Sequence, residues 1–470
     1  MSAAPSSHPR WTLAIVSIAL FMTALDNLVV GVALPSIRAE FGGSLEALQW
    51  TVNGYTLAFA VFLLTGAALG DRFGRKRMFI AGLALFTGAS ALAALAPSIE
   101  ALIAMRALQG FGAAIVLPLT LTLLSEAVPA ERRGAALGIW AGVSGLGVAM
   151  GPLVGGAVVE GISWQWIFWL NIPVGLVLLP LSVRMLSESH GPNEHLDVPG
   201  LLLGGVGLLG LTFGIVRSDA LGWTSVTVVA TMTTGVVLLG AFLAYEARAA
   251  QPMLPPRFFR SRGFSATNAL SFAMFFGTFG SVFLLSQYFQ VAQGLGPLEA
   301  GLRTLPWTAM PMLIAPLAGL LSDRIGSRSL MATGLALQAI AIAWLATVLE
   351  PATPFGELVI PFVLAGAGMA MVFAPSANAV LQSVRPEEAG QASGATNAIR
   401  EVGGVMGVAV LASVFAGSGG YGDPQAFTDG LTAALPIAAM VLGAGALAAL
   451  LAPGRTRNTG PQPAVLPQPA

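Results

Sequence analysis

Apolar and charged positions alternate along this chain on a long scale. Stretches without a single Asp, Glu, Lys or Arg run from 47 to 70, 78 to 99, 107 to 125, 134 to 159, 161 to 183, 198 to 216 and 220 to 245. Six more follow, at 263 to 298, 304 to 322, 329 to 349, 358 to 384, 402 to 422 and 430 to 454. Another apolar run, from Trp11 to about Leu34, is interrupted only by Asp26. At about 1.5 Å of rise per residue, about 20 residues of helix cross a hydrocarbon core of about 30 Å. Lipid offers no partner to backbone amides, so each segment must satisfy its own, and the alternation of barrel strands is absent. The pattern predicts an all-α integral membrane protein with fourteen transmembrane helices. His8 and Arg10 imitate the start of a secretory signal, but the run behind them outlasts an h-region and reads as a retained first helix.

Composition agrees. The 470 residues hold 22 basic and 22 acidic side chains, 55% apolar residues and a mean hydropathy of +0.79, too little charge to coat a water-soluble protein. Zero net charge gives no basic surface for nucleic acid. Cysteine is absent, which removes disulfides and thiolate chemistry. Lys76 is the sole lysine, and no Gly-Lys-Ser/Thr phosphate loop can be written around it, so no ATP-driven mechanism of that kind is expected. His8, His190 and His195 fall in terminal or linker segments without metal-site spacing, and no enzyme, metal or cofactor is expected.

Arginines set the orientation. Arg10, Arg72, Arg75, Lys76, Arg77, Arg132, Arg133, Arg184, Arg248, Arg257, Arg260, Arg262, Arg324, Arg328, Arg385, Arg455 and Arg457 share one side of the fourteen spans with both termini, while Arg38 and Arg217 lie opposite and Arg303 is borderline. By the positive-inside rule both termini are cytoplasmic. The segment Ala68 to Gly74 recurs as Leu320 to Gly326, an offset of 252, and a set from Val128 to Gly151 recurs near that spacing as Val384 to Gly407. Two echoes at nearly one offset predict duplicated halves in parallel orientation. The resulting division is a cytoplasmic amino terminus (1–10), a six-helix bundle (11–183), a linker carrying two inserted central helices (184–262), a second six-helix bundle (263–452) and a disordered Pro-rich cytoplasmic tail (453–470).

Five segments carry a family resemblance. Leu25 to Pro35 looks like the LDxTxVNVALP signature, with Leu28 at the threonine position and Gly31 at the asparagine position. Gly66 to Arg77 is similar to a loop motif after the second span, and Leu102 to Ala114, with Arg106, Gln109 and Gly110, to a motif of the fourth. Gly142 to Gly156, holding Gly147, Gly151, Pro152, Gly155 and Gly156, looks like an antiporter motif. Trp166-Ile167-Phe168 with Asn171, and later Asn397, Arg400, Gly403, Gly404 and Gly407, add further signatures. Together they resemble the major facilitator superfamily, in particular its fourteen-span drug:proton antiporters. The resemblance implies a carrier in the bacterial inner membrane that exports amphipathic drugs, antibiotics or natural products by alternating access, driven by protons without any cofactor. A metabolite importer of the same fold is the alternative.

Buried charge names the candidate coupling residues. A carboxylate inside a membrane helix is costly unless paired or protonated, and Asp26 and Arg106 fall at comparable depths. Asp26 either alternates between a proton and a partner, producing antiport by competition, or forms a static pair with Arg106. Arg400 and Glu401 lie near the midplane of the thirteenth span and point about 100° apart. Arg400 is the better candidate for the cavity, and Glu401 is either a second protonatable site or a neutralising neighbour. Glu126, Glu160 and Glu246 read as interfacial.

The glycines of span five allow close helix approach, and the resemblance makes that face a seal between states. In the cytoplasmic loops, Gly66, Gly70, Asp71, Arg72, Gly74 and Arg75, echoed by Asp323 and Arg324, are expected to gate: Asp71 by capping a neighbouring helix, the arginines by pairing with acids across the halves, or else simply to mark topology. Asn27, Phe275, Phe279 and Trp307 are candidate lining for an apolar ligand pocket, although lipid contact also accounts for aromatic residues here.

Overall fold

A computed structural model describes residues 9–190, 197–250, 252–385 and 389–451; the tail beyond 452 and residues 1–8 lie outside the described residues. The described chain is helical. Its elements are α1 (Pro9–Phe41), α2 (Leu45–Phe73), α3 (Arg75–Ala94), α4 (Ile99–Ala127), α5 (Ala130–Gly161), α6 (Trp166–Trp169), α7 (Asn171–Met185), α8 (Val198–Leu221) and α9 (Val226–Glu246). After a 3-10 turn at Pro256–Arg260 come α10 (Arg262–Val291), α11 (Pro297–Thr308), α12 (Met310–Ile325), α13 (Ser327–Val348), α14 (Phe355–Gln382), α15 (Ala389–Ser418) and α16 (Pro424–Ala449). Among the described residues, 12 helical segments are long and apolar enough to cross a membrane, with α6 and α7 counted as one. The 32-residue α5 and the divided pair α11–α12 occupy the two remaining apolar stretches.

Three departures from the charge pattern have local causes. The sixth stretch breaks at Leu170, because Pro173 has no N–H to give the carbonyl of Trp169. The stretch 263–298 is not one helix: α10 stops at Val291, Gly294 turns with φ of 66°, and Pro297 starts α11 with Glu299 in its first turn. Then α11 and α12 separate at Ala309, where Pro311 cannot donate to the Trp307 carbonyl. That carbonyl sits against Gly366, which leaves no room there for a side chain. Several helix starts carry the side-chain cap their sequences announce: Ser44, Ser98, Asp197, Ser225, Ser261 and Asp423 each accept a backbone N–H three residues on.

The 252-residue echo has a structural counterpart. Gly74 links α2 to α3 with φ of 103°, and Gly326 links α12 to α13 with φ of 90°. Only glycine adopts this backbone without strain. Packing repeats as well. In the first half α1 packs on α5, α2 on α4, and α3 on α4 and α7; in the second, α10 packs on α15, α11 and α12 on α14, and α13 on α14 and α16. The two sets meet reciprocally, α2 against α15 and α5 against α11.

Helices α8 and α9 pair through their glycines, and α8 also lies against both α2 and α15. Arg217 joins Glu46 at 2.9 Å, and the Ser218 and Ser413 hydroxyls are 3.1 Å apart. The ring of Phe213 lies 6.3 Å from that of Trp50. By contrast, α9 exposes Val226, Val229, Val236, Val237 and Leu243, as a lipid-facing helix does.

Candidate functional site

Asp26 is completely buried on α1, and its two oxygens accept from side chains of two other helices, α4 and α7. Arg106 Nη1 donates to Oδ2 at 2.6 Å, while Gln109 Nε2 and Asn171 Nδ2 donate to Oδ1 at 2.8 and 2.7 Å. Arg106 and Gln109 sit one turn apart on α4 and also bond each other at 2.7 Å. The break after α6 lets Asn171 turn inward, where it also donates to Ser90 Oγ at 3.0 Å; Ser90 in turn donates to the Phe168 carbonyl at 2.8 Å. Arg106 Nε reaches the Thr51 carbonyl at 3.3 Å, and its guanidinium carbon lies 4.3 Å from the Tyr55 ring centroid. A buried ion pair is stable only when its remaining donors and acceptors are satisfied, and this one meets that condition closely. The expected meeting of Asp26 with Arg106 is present; Asn27, half-buried, stays outside the network.

The second buried arginine is arranged differently. Arg400, on α15, donates from Nη1 to Asn397 Oδ1 at 3.2 Å and from Nη2 to Ser376 Oγ at 2.7 Å, while Nε has no partner. Its guanidinium carbon lies 4.9 Å from the Phe373 ring and 5.9 Å from that of Phe275. Phe275 stacks on Phe279 at 5.3 Å, so two of the proposed lining residues do come together; Trp307 instead packs on Phe362 at 5.9 Å, in the core of the second half. Glu401 is half-buried and has no hydrogen-bond or ion-pair partner among the described residues.

The glycines of α5 divide between two neighbours. Gly147, Gly151 and Gly155 face Phe21, Leu28 and Val29 of α1, within the first half. Gly156 faces the Pro297 carbonyl of α11, and the Pro152 carbonyl faces Gly301, so the same helix also meets the second half. This meeting lies at the end of the molecule away from the termini, where other bonds cross the seam. Leu298 N donates to Glu160 Oε2 at 2.9 Å, Gln290 Nε2 to the Val32 carbonyl at 2.9 Å, and Ser286 Oγ to the Gly31 carbonyl at 3.3 Å. Arg38 lies 3.9 Å over the Tyr421 ring, and the Tyr421 hydroxyl donates to Gln287 Oε1 at 2.5 Å. Burial pushes that hydroxyl well above its usual pKa against the opposing pull of Arg38, so it remains a donor.

A side chain at Gly156 must therefore separate α5 from α11. Gly156→Leu is expected to destabilise this closed end by about 1–3 kcal/mol, the usual cost of overpacking. The chain has no cysteine of its own, so a single Ser286→Cys reporter can be labelled by a membrane-impermeant maleimide. Labelling of the purified protein in detergent should rise severalfold in Gly156→Leu; an unchanged rate would mean that this contact does not hold the end shut.

At the opposite end, Asp71 caps no neighbouring helix among the described residues. Asp71 Oδ1 accepts from Arg75 Nε at 3.0 Å and Nη2 at 2.8 Å, and Arg75 also pairs with Glu126 of α4. Glu188, from the segment after α7, caps α3 by accepting from the amides of Lys76 at 2.9 Å and Arg77 at 3.2 Å. Among the described residues these partners lie within the first half, not across the halves, and the segment after α7 folds back over the start of α3. Gly66 and Gly70 are packing positions against Ala114 and Leu119, and Arg72 lies 5.1 Å over Phe73. The side chains of Asp323 and Arg324 lie outside the described residues. Glu246 accepts from Leu254 N at 2.8 Å. Sequence reasoning had set Glu160 aside as interfacial and singled out neither Tyr55 nor Ser90; the available signal for the last two was a polar residue inside a charge-free stretch.

Helices that cross the membrane in two similarly packed sets, with buried charges beside the seam, define a membrane carrier. Residues 16–408 and 267–467 match the pattern of the Major Facilitator Superfamily, and the chain belongs to that family. It is 37% identical over 470 residues to the cephamycin export protein CmcT of Amycolatopsis lactamdurans, covering 97% of this chain and 95% of that protein. It is 34% identical over 424 residues to the tetracenomycin C resistance and export protein of Streptomyces glaucescens, covering 90% and 79% respectively. With the multidrug resistance protein Stp of Mycobacterium tuberculosis (strain CDC 1551 / Oshkosh), identity is 35% over 407 residues, covering 86% and 75%. In fold it resembles a crystal structure of a POT family transporter in complex with 5-aminolevulinic acid, with a TM-score of 0.70 at 14% identity, covering 94% of this chain and 97% of that one.

Proposed function

We propose that this protein is a proton-coupled efflux carrier for amphipathic organic compounds, of the antibiotic or natural-product kind that its relatives' names describe. The observation that carries the reading is the buried Asp26–Arg106 pair in a chain about one-third identical to named export proteins along most of its length. Fourteen spans are proposed, with α5 and the kinked α11–α12 completing the other twelve, and both termini in the cytoplasm. The division into 11–183, 184–262 and 263–452 follows the repeated packing, with α8–α9 as the insert. On this orientation the joined ends of α1, α5, α10 and α11 are external, and the state described is closed to the outside.

Coupling then uses two carboxyls. Asp26 trades Arg106 for a proton during the cycle, and the paired form is the half of that exchange on view. Glu401, with no hydrogen-bond or ion-pair partner among the described residues, takes the proton from the cavity side. One charge moving down 100 mV yields about 2.3 kcal/mol, enough to sustain roughly a 40-fold gradient of a neutral solute without nucleotide. Membrane vesicles turned inside out provide the test. Tetracenomycin C or a cephamycin should accumulate in them when the interior is acidified and leak out on adding a protonophore; uptake into right-side-out vesicles instead would make the protein an importer.

A further inference from the structure

The two buried arginines are not equivalent. Arg106 is neutralised by Asp26 at 2.6 Å. Arg400 is 5% exposed, has no ion-pair partner among the described residues, and keeps an unpartnered Nε. Among the described residues its hydrogen-bond partners are the neutral oxygens of Asn397 and Ser376. The neighbouring Glu401 makes no ion pair with it, since adjacent helix positions diverge by about 100°. A desolvated guanidinium without an anion is an expensive arrangement, and one that a ligand's acid group would relieve.

What surrounds Arg400 indicates the rest of such a ligand. Phe275 and Phe279 from α10 stack with 16° between their planes, and Phe373 from α14 lies nearly parallel to Phe275, at 25° and 6.4 Å. These rings form a platform beside the guanidinium, and Phe373 remains 44% exposed, so the platform has an open face. Flat rings stack on such a surface, while the fork of an arginine selects a carboxylate or another oxyanion.

We infer that Arg400, with Phe275, Phe279 and Phe373, forms the binding site for the acid group and ring of a planar aromatic anion, and that such anions are the preferred substrates. This deepens the export reading and rests on it for the word substrate, but the binding itself can be measured without any gradient. The probes are 9-anthracenecarboxylate, 9-anthracenemethanol and 9-anthracenemethylammonium, one ring carrying three charges. Binding is read from ring fluorescence with the full-length protein in lipid nanodiscs at neutral pH, after subtracting empty nanodiscs.

The carboxylate should bind at least about tenfold tighter than the alcohol, and the ammonium weakest of the three, as a charge-assisted bond to a buried arginine requires. Arg400→Gln should remove that preference and leave the alcohol's affinity within about twofold, whereas Phe373→Ala should weaken all three probes, as loss of a ring contact does. Equal binding of the three probes by the unaltered protein overturns the proposal, and so does an intact preference in Arg400→Gln. Should that variant not fold, the ranking on the unaltered protein still decides. Failure here leaves vesicle transport untouched, and failure of transport in vesicles leaves the ranking untouched, so the two readings fall separately.

Discussion

Asp26→Asn is expected to stop uphill transport and to lower stability by about 3–5 kcal/mol, the usual result of removing one member of a buried ion pair. The amide keeps the volume of the carboxyl but leaves Arg106 charged in a site with 1% exposure. Gln109 and Asn171, which now donate to Oδ1, must also share an acceptor of weaker charge. The informative measurement is the double variant. Adding Arg106→Gln removes the stranded charge and should restore most of the lost stability, read by thermal unfolding in nanodiscs. If Asp26 also carries protons, transport stays absent in the refolded double variant. Recovery of proton-driven transport along with stability would instead make the pair a packing element, and the coupling role would pass to Glu401 alone.

Glu401→Gln should behave in the opposite way toward stability. This carboxyl has no hydrogen-bond or ion-pair partner among the described residues, so its loss strands nothing, and because glutamine keeps a polar group of the same size, stability should stay level or rise only slightly. Accumulation against a gradient should nonetheless fall by more than about tenfold, the loss expected when the proton's contribution to the driving force disappears. Downhill exchange of substrate should continue, and its rate should lose much of the pH dependence expected of the unaltered protein. A variant that still concentrates substrate when only a pH gradient is imposed would exclude Glu401 from coupling. Read side by side, the two variants separate a carboxyl locked in a network from one waiting for a proton.

Much of the architecture was legible because lipid imposes a single rule on the backbone, and charge-free stretches mark where the rule applies. Gly74 and Gly326 match in the sequence repeat, and they share a backbone conformation that only glycine takes easily. The partnership of Asp26 with Arg106 was legible too, since two charges at one depth in oil have few alternatives. Asn171 was visible only as a signature residue, because its approach to Asp26 depends on the break before α7 and spans 145 positions. The breaks themselves were missed by counting charges, which is blind to Pro173 and Pro311. Asp71 illustrates a different limit. Its pairing with Arg75 four residues on competes with the distant helix end it was expected to cap, and local geometry wins in the state described.

The placement of α8 carries a mechanical consequence. It is fastened to α2 through Arg217 and Glu46 and to α15 through Ser218 and Ser413, so it ties together helices from both halves along one side of the protein. The α5–α11 side has no such tie among the described helices. Two covers joined along one edge open like a book, with the spine at α8 and the pages parting at α5 and α11.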